Sequence, residues 1–293
     1  MTQTIEPRVV HLTTRTGISV RRTLPTRQLR TIGAWCFLDH YGPTDDAGSM
    51  SVAAHPHAGL QTVSWLFSGE LEHRDSLSSI QVIRPGELNL MTAGAGIAHS
   101  ELSEQAAAPL HGVQLWVALP DSARHQAPHF EHHDELPDFE HDGGRIRLLI
   151  GSLFGHVSPA ATYSALLGAQ ITLGTNPMTI PADTQFQYGV LPVESEISVN
   201  GEFIPPTHLR SLNDPSNSIT IFGPEGTRVM LLGGEPFTEQ MVMWWNFIGR
   251  DHDEIEQMRI DWQEGSDRFG QFDDRIGGRI PAPDMPATRL RPR

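Results

Sequence analysis

The chain has 293 residues, of which 38% are hydrophobic and 19% are charged. One large domain or two ordinary ones can therefore form a packed core, and widespread disorder is disfavoured. The formal net charge of −14 disfavours direct binding to nucleic acid, because phosphates repel an acidic surface. Cys36 is the only cysteine and lysine is absent, which excludes an intrachain disulfide, a cysteine-based zinc site and Schiff-base chemistry.

The first half of the chain, from Ile32 to Val117, is typical of many short strands separated by turns. β-Branched and aromatic residues mark the strands, and Gly or Pro marks the turns. The predicted strands are Thr62 to Phe67, Leu71 to Arg74, Ile80 to Arg84, Leu88 to Met91 and Val113 to Leu119. This pattern predicts a small barrel or sandwich.

Residues 121–145 hold prolines, glycines and many charges, and we interpret them as a connection between two domains. Strands are predicted to resume after it, and they indicate a second small barrel. These strands are Ile146 to Ile150, Ala165 to Leu173, Gln185 to Val190, Glu196 to Val199, Ser218 to Phe222 and Thr227 to Leu232. The sequence thus predicts an all-β chain of two antiparallel β-barrels.

One helix is predicted near the end of the chain, from Asp251 to Gln263. Asp251 and Glu254 have a spacing like that of a capping box. Ile255, Met258 and Trp262 form an apolar stripe at helical spacing. We expect this helix to pack on a barrel and to be followed by an extended tail.

Two pairs of ligand-type side chains stand out in the first barrel. His55 and His57 flank Pro56, and His99 and Glu101 follow the glycine-rich residues 92–96. Alternate side chains of a strand leave the same face, so both pairs can point into one cavity. Three imidazoles and a carboxylate suit Fe, Mn, Ni, Cu or Zn, with positions left open for substrate. The alternative is that these are unrelated buried or surface side chains.

Four segments of this sequence resemble the pirin family of the cupin superfamily. The two most specific are HPHAGLQTV at residues 55–63 and IRPGELNLMTAGAGIAHSE at residues 83–101. HGVQLWVALP at residues 111–120 and GGEP at residues 233–236 also match. The resemblance implies a bicupin of two jelly-roll barrels. We expect a metal-binding cupin domain at residues 1–135. Residues 136–293 would form a cupin domain without metal, including the helix and the tail.

The resemblance also implies the metal site and its chemistry. The family's ligands correspond to His55, His57, His99 and Glu101, with Fe(II) the usual metal and Mn, Ni, Co, Cu or Zn as alternatives. Some pirins cleave the flavonol quercetin with dioxygen, whereas others are transcriptional cofactors or bind metabolic enzymes. Gln61 stands where many family members have glutamate, which can change hydrogen bonding or charge near the site.

Two residue pairs beside the site are open to alternative interpretations. His73 and Asp75 either orient a metal ligand or form a polar cross-strand pair. His111 and Gln114 cannot share a strand face because their separation is odd, so one of them is expected to line the pocket.

Three hypotheses for function follow from the sequence. The first is a flavonol dioxygenase, with a small aromatic substrate, dioxygen and Glu101 as the general base. The second is an iron-dependent redox sensor that binds a protein partner. The third is a metal held for stability alone.

Met1 to Val10 lacks an apolar segment after a basic start, and no apolar run approaches a membrane span. We expect a cytoplasmic protein without membrane contact.

Overall fold

The structure is a computed structural model that describes residues 2–12, 18–44, 50–103, 109–213 and 216–292. The described residues are mostly strands, as the β-branched and aromatic residues and the many turn signals predict. Their strands are, in chain order, β1 (Gln3–Ile5), β2 (Arg8–His11), β3 (Ser19–Leu24), β4 (Trp35–Thr44), β5 (Ser51–His57), β6 (Leu60–Ser68), β7 (Leu71–Asp75), β8 (Ile80–Ile83), β9 (Leu88–Thr92), β10 (Ile97–Leu102), β11 (Leu110–Ala118), β12 (His129–His133), β13 (Asp138–His141), β14 (Gly144–Ile150), β15 (Ser152–Leu153), β16 (His156–Val157), β17 (Leu166–Thr172), β18 (Met178–Pro181), β19 (Gln187–Pro192), β20 (Ile197–Val199), β21 (Glu202–Ile204), β22 (Leu209–Leu212), β23 (Ser218–Phe222), β24 (Arg228–Gly234), β25 (Val242–Trp244) and β26 (Phe247–Gly249). Helix α1 spans His252–Glu264 and is followed by a 3-10 turn, Asp267–Phe269. The predicted all-β fold with one short C-terminal helix is confirmed.

Two compact units divide the chain, and each is discontinuous in sequence. The aliphatic unit comprises Met1–Val10, Val20–His40 and His133–Phe237, and the histidine unit comprises His11–Ser19, Tyr41–His132 and Thr238–Arg293. This division differs from the predicted boundary between residues 135 and 136, since residues 238–293 group with the first barrel. The physical reason is the apolar cluster that these residues form with Ala58 and Ala98.

The aliphatic unit contains a seven-stranded antiparallel sheet, ordered β1-β22-β19-β24-β17-β14-β13, and a four-stranded sheet, ordered β18-β23-β20-β21. Residues from both sheets form one buried cluster of aliphatic side chains with Met178 and Tyr188. The indole nitrogen of Trp35, which is fully buried, donates to the carbonyl of Leu167 at 3.2 Å and to that of Gly233 at 3.1 Å. The interior of this barrel is therefore filled by packed side chains. That it binds no metal stays a prediction.

The histidine unit is built from strands of two sheets. One contains the strand order β12-β9-β6-β11-β4, and the other is ordered β5-β10-β7-β8. The longest segment of this unit begins within β4, at Tyr41. Two of the predicted strands lie here within the observed ones: Thr62 to Phe67 falls inside β6, and Leu88 to Met91 falls inside β9. Because side chains alternate along each strand, β5 and β10 both present polar side chains to the interior.

Helix α1 begins as predicted. The Asp251 side chain accepts a hydrogen bond from the Glu254 backbone N–H at 2.9 Å, and Gly265 ends the helix in the left-handed region. The stripe of Ile255, Met258 and Trp262 is buried within the histidine unit. In the described part of the chain, no helix is both long and apolar enough to cross a membrane.

The extended segment after α1 packs on the histidine unit. The Arg279 guanidinium lies over the Trp262 ring, 3.7 Å from its centroid, and the Trp262 indole donates to the Ile280 carbonyl at 2.8 Å. The Ile280 backbone N–H donates in turn to the Ala54 carbonyl at 2.8 Å. The tail therefore contacts the same strand, β5, that carries two of the predicted metal ligands.

Residues 121–145, which we interpret as the connection between two domains, contain the strands β12 and β13, and the boundary between the two compact units falls within them, between His132 and His133. Both strands are half-buried and polar, so they lack the apolar alternation that marks a strand in sequence. Phe130 of β12 packs against Met91, Ala93 and Ile97. This apolar contact holds β12 in place. It is hard to predict from the sequence because the residues around Phe130 are charged or polar.

Candidate metal centre

Strand pairing between β5 and β10 brings three histidines together. His99 lies directly opposite His55, and Ile97 lies opposite His57. His55 and His57 are two residues apart on β5 and share a face. The three rings therefore meet because of backbone register rather than through loops.

The three imidazoles form a compact group. Their ring centroids are 5.1 Å apart for His55 and His57, 4.3 Å for His55 and His99, and 5.0 Å for His57 and His99. Each ring offers one nitrogen, and these three nitrogens all lie within 4.8 Å of one another. This spacing allows all three to bind a single ion, because metal–nitrogen bonds are about 2 Å long.

Burial keeps these histidines neutral. It lowers the pKa of His55 to about 4, although a hydrogen bond to the Ala53 carbonyl opposes the shift. Burial also lowers the pKa of His57 and of His99 well below the usual value, and the neighbouring imidazoles add to the effect. Neutral imidazole is the form that binds a metal ion, so the group is ready to do so at neutral pH.

Hydrogen bonds leave specific nitrogen atoms available. The Nδ1 atom of His55 lies 2.9 Å from the Ala53 carbonyl oxygen, which can only accept, so Nδ1 carries the proton and Nε2 carries the lone pair. Among the described residues, His57 Nδ1, His99 Nε2 and Glu101 Oε1 are buried without a hydrogen-bond partner. Buried polar atoms are normally paired. Three unpaired atoms here fit a metal ion that these side chains would hold.

Glu101 lies in the same interior but apart from the three histidines. It is 5% exposed, and its carboxylate is not among the ligand atoms that lie within 4.8 Å of one another. The register shifts between His99 and Glu101, so that Glu101 lies opposite Val52. Burial raises the pKa of Glu101 to about 7, and the nearby Ser64 hydroxyl opposes this shift. Glu101 is thus a carboxyl group that exchanges its proton near neutral pH.

The glycine-rich residues before His99 form the turn between β9 and β10. Gly94 has φ +52°, and a Cβ atom there would lie 2.2 Å from the Gln126 carbonyl oxygen. Only glycine fits this backbone without a shift. Gly94 thus permits a close approach of the backbone to Gln126 in the turn that precedes His99.

The other residues singled out by sequence take distinct positions. The Gln61 side chain is buried, and its amide donates to the Thr92 hydroxyl at 2.9 Å. His111 lies against Phe67, with ring centroids 4.9 Å apart. The carbonyl oxygen of the Gln114 side chain accepts from the Ser64 hydroxyl at 2.9 Å. Of the strand pair 111 and 114, Gln114 is therefore the one connected to the interior around Glu101.

His73 and Asp75 are hydrogen-bonded to one another, and His73 also contacts His99. The His73 Nε2 atom lies 3.1 Å from the Asp75 carboxylate, and its Nδ1 atom lies 3.2 Å from His99 Nδ1. Both side chains are buried. Of the two interpretations, the contact with His99 favours an orienting role.

Sequence reasoning missed two contributors to the site. Trp116 of β11 lies edge-on to His57, with ring centroids 5.2 Å apart. A backbone hydrogen bond at Asn246, between β25 and β26, reaches His57. Trp116 lies within the family-like segment of residues 111–120, so the sequence contained a signal for its role. Asn246 could not have been found, because nothing in its local sequence indicates contact with a strand nearly 200 residues earlier.

A second group of possible ligands, His252, Asp253 and Glu256, lies on α1. Asp253 pairs with Arg289 at 2.7 Å, and His252 Nδ1 accepts from the Leu290 backbone N–H at 3.1 Å. Two of its three members are therefore already engaged, and Asp253 and Glu256 are exposed. Surface groups of this kind are common without an ion, unlike the buried histidines.

Comparison with known families matches both halves of the chain. The Pirin family model matches residues 17–117, and the model of the Pirin C-terminal cupin domain matches residues 170–270. A Pseudomonas aeruginosa protein named "Putative quercetin 2,3-dioxygenase" is 45% identical, with 92% of this chain and 87% of the relative covered. A Caulobacter vibrioides "Pirin-like protein" is 36% identical, with 92% and 95% covered.

Solved structures give the same result. The crystal structure of a quercetin 2,3-dioxygenase from Acinetobacter baumannii has a TM-score of 0.93 and 39% identity, covering 99% of this chain and 97% of that one. The bacterial pirin YhhW from Escherichia coli, determined in complex with nickel(II), shares the fold with a TM-score of 0.65 and 16% identity. It covers 81% of this chain and 100% of its own. The chain therefore belongs to the pirin family and has its two-domain cupin fold.

Proposed function

We propose that this protein is a metal-dependent dioxygenase that cleaves flavonols such as quercetin. The observation that carries the proposal is the group of three buried, neutral histidines, in the same interior as a carboxyl group whose pKa burial raises to about 7. The quercetin 2,3-dioxygenase names of relatives that cover most of this chain support the choice of reaction.

The proposed metal ligands are His55, His57 and His99, with Glu101 completing the set. Fe(II) is the proposed ion, and Mn, Ni, Co, Cu or Zn would accept the same donors. When bound by these side chains, a divalent metal ion would supply a Lewis acid for the flavonol oxygen, and a redox-active ion such as Fe(II) would also supply redox chemistry toward dioxygen. The neutral imidazoles would leave the carboxylate as the one anionic protein ligand.

Glu101 is the proposed general base. A base is most effective when its pKa lies near the working pH, and that of Glu101 is raised to about 7 by burial. Its Oε1 atom is buried and has no hydrogen-bond partner among the described residues, so it can receive a proton from the flavonol 3-hydroxyl. The Ser64 hydroxyl, which lies near this carboxylate, donates to the Gln114 side chain at 2.9 Å.

The proposed substrate surface includes Trp116. Its indole lies edge-on to His57 and is largely buried in the same interior. A planar aromatic substrate gains stability by packing against such a ring. In the proposed reaction one dioxygen is consumed, the oxygenated ring opens to a phenolic ester, and the excised carbon leaves as carbon monoxide.

The test is a direct assay for the gas. Metal-free protein is loaded anaerobically with Fe, Mn, Ni, Co or Cu, then mixed with quercetin and oxygen. We expect carbon monoxide in the headspace in proportion to the quercetin consumed, and none from His57→Ala treated in the same way. The absence of carbon monoxide with every one of these metals would overturn the proposal. The protein partner of the redox-sensor hypothesis stays a prediction.

A further inference from the structure

Three side chains form a continuous hydrogen-bonded chain that ends at a proposed metal ligand. Asp75 Oδ2 lies 3.1 Å from His73 Nε2, and His73 Nδ1 lies 3.2 Å from His99 Nδ1. All three residues are at most 4% exposed. These hydrogen bonds can form because β7 and β10 are adjacent strands, with Asp75 opposite His99 and His73 opposite Glu101.

The Asp75 carboxylate is held in its charged form. Its other oxygen accepts hydrogen bonds from the backbone N–H groups of Leu77 at 2.8 Å and Ser79 at 3.0 Å. Although burial opposes ionisation, the hydrogen bonds with His73 and Ser79 lower the pKa of Asp75 below its usual value. A carboxylate can only accept, so the proton between Asp75 and His73 belongs to His73 Nε2.

This fixed proton sets the direction of the next hydrogen bond. With its proton on Nε2, the imidazole of His73 accepts at Nδ1 from Nδ1–H of His99. His99 then carries its lone pair on Nε2. The opposite direction would place an N–H on His99 Nε2, which is buried and has no acceptor among the described residues. Such an unpaired group would cost stability.

We propose that Asp75 and His73 are positioning residues that hold His99 in the tautomer whose Nε2 lone pair is free to bind a metal ion. The inference rests on the metal site of the proposed function. In metal proteins, a carboxylate behind a histidine commonly fixes its tautomer and orientation. Here the carboxylate acts through a second imidazole.

Phe130 fixes the intermediate ring. It stacks on His73 with centroids 4.4 Å apart and planes inclined by 14°. It is anchored in turn against Met91, Ala93 and Ile97. The strand β12, which the sequence did not predict, thus holds the plane of His73 and with it the direction in which Nδ1 faces His99.

Asp75 also stabilises the turn after β7, so the test must separate the two roles. Asp75→Asn keeps a side-chain oxygen for the amides of Leu77 and Ser79 but presents an amide N–H₂ to His73. That change reverses the direction of both hydrogen bonds. His73 Nε2 then accepts, His73 Nδ1 donates, and His99 is protonated on Nε2. The matched control is Glu72→Gln, which makes the same carboxyl-to-amide change one residue from His73, where Glu72 pairs with Arg74.

The first readout needs neither metal nor substrate. Two-bond ¹H–¹⁵N correlation spectra of metal-free, ¹⁵N-histidine-labelled protein at pH 8 distinguish the two tautomers, and His99→Gln assigns the His99 signals. We expect wild type and Glu72→Gln to show His99 protonated on Nδ1 and His73 on Nε2. In Asp75→Asn both are expected to reverse. A wild-type His99 protonated on Nε2 would overturn the proposal, even if no variant folds.

The second readout is affinity for Ni²⁺, measured by chelator competition. Loss of such an orienting group typically weakens binding by about 10–100-fold, which we expect for Asp75→Asn and not for Glu72→Gln. Equal affinities in the two variants, with circular dichroism confirming that both fold, would contradict the proposal. A protein that shows the tautomers and the affinity loss but releases no carbon monoxide would refute only the dioxygenase function.

Discussion

His99 lies directly opposite His55 in the antiparallel pairing of β10 with β5, and their ring centroids are 4.3 Å apart. This relationship is set by backbone hydrogen bonds between two strands. A site built on paired strands holds its side chains more rigidly than one built on loops. The geometry of the candidate metal centre is therefore a property of the fold and should persist when the metal is removed.

Glu101→Gln tests the proposed base. The amide cannot accept the flavonol proton, and general base catalysis typically contributes 10²–10⁴-fold. We expect the rate of carbon monoxide release to fall by about that factor. The metal content of the variant should fall by a smaller factor than the rate, because the three histidine ligands remain. Glu70→Gln, which alters a carboxylate paired with Arg84 on the surface, should keep the wild-type rate. Wild-type turnover by Glu101→Gln would show that another group takes the proton.

The pH dependence of stability tests the raised pKa of Glu101 in metal-free protein. Between the ordinary value of 4.5 and about 7, the unfolded carboxyl loses its proton while the folded one keeps it. Folding stability therefore falls as pH rises through this window, by on the order of 3 kcal/mol in all. We therefore expect the free energy of unfolding of wild type to fall relative to that of Glu101→Gln between pH 4 and pH 8. Urea unfolding in the presence of chelator measures this difference. A difference that does not vary with pH would refute the shift.

Metal removal should lower thermal stability. A ligand that binds only the folded state stabilises it by about 2.7 kcal/mol at 100 times its dissociation constant. We expect the thermal midpoint of metal-loaded protein to fall when chelator is added, and to be insensitive to chelator in His57→Ala. An unchanged wild-type midpoint would rule out a metal that contributes to stability.

Asp251→Ala tests the start of helix α1, whose buried face packs against Ala58. The Asp251 side chain accepts from the Glu254 backbone N–H at 2.9 Å, and loss of such a cap typically costs about 1 kcal/mol. Asp251→Ser should retain most of the stability because serine also caps well. Equal destabilisation of both variants in urea unfolding would show that the cap is not the cause.

Local patterns predicted much of the fold. The β-branched and aromatic residues from Thr62 to Phe67 identified β6, and the Asp251 cap with the stripe of Ile255, Met258 and Trp262 identified α1. The two i, i+2 pairs identified the three histidines that converge. In each case the signal lies within a few residues, where strand and helix periodicity act.

What the sequence did not predict depends on distant contacts. The strand β12 forms among charged residues because Phe130 packs on β9 and β10 residues. The grouping of residues 238–293 with the first barrel depends on contacts such as the Ile248 N–H bond to the Ala58 carbonyl at 3.0 Å. The separation of Glu101 from the histidine group follows a register shift between His99 and Glu101. Neither periodicity nor spacing encodes these features.

The central claim is that three histidines from two strands bind one metal ion, and metal analysis of purified protein tests it most directly. Wild type and His57→Ala are purified in parallel, with His125→Ala as the control because His125 is an exposed histidine of the same unit. The account predicts about one transition-metal ion per chain in wild type and His125→Ala, and almost none in His57→Ala. Full metal content in His57→Ala, or none in wild type even after loading, would contradict it.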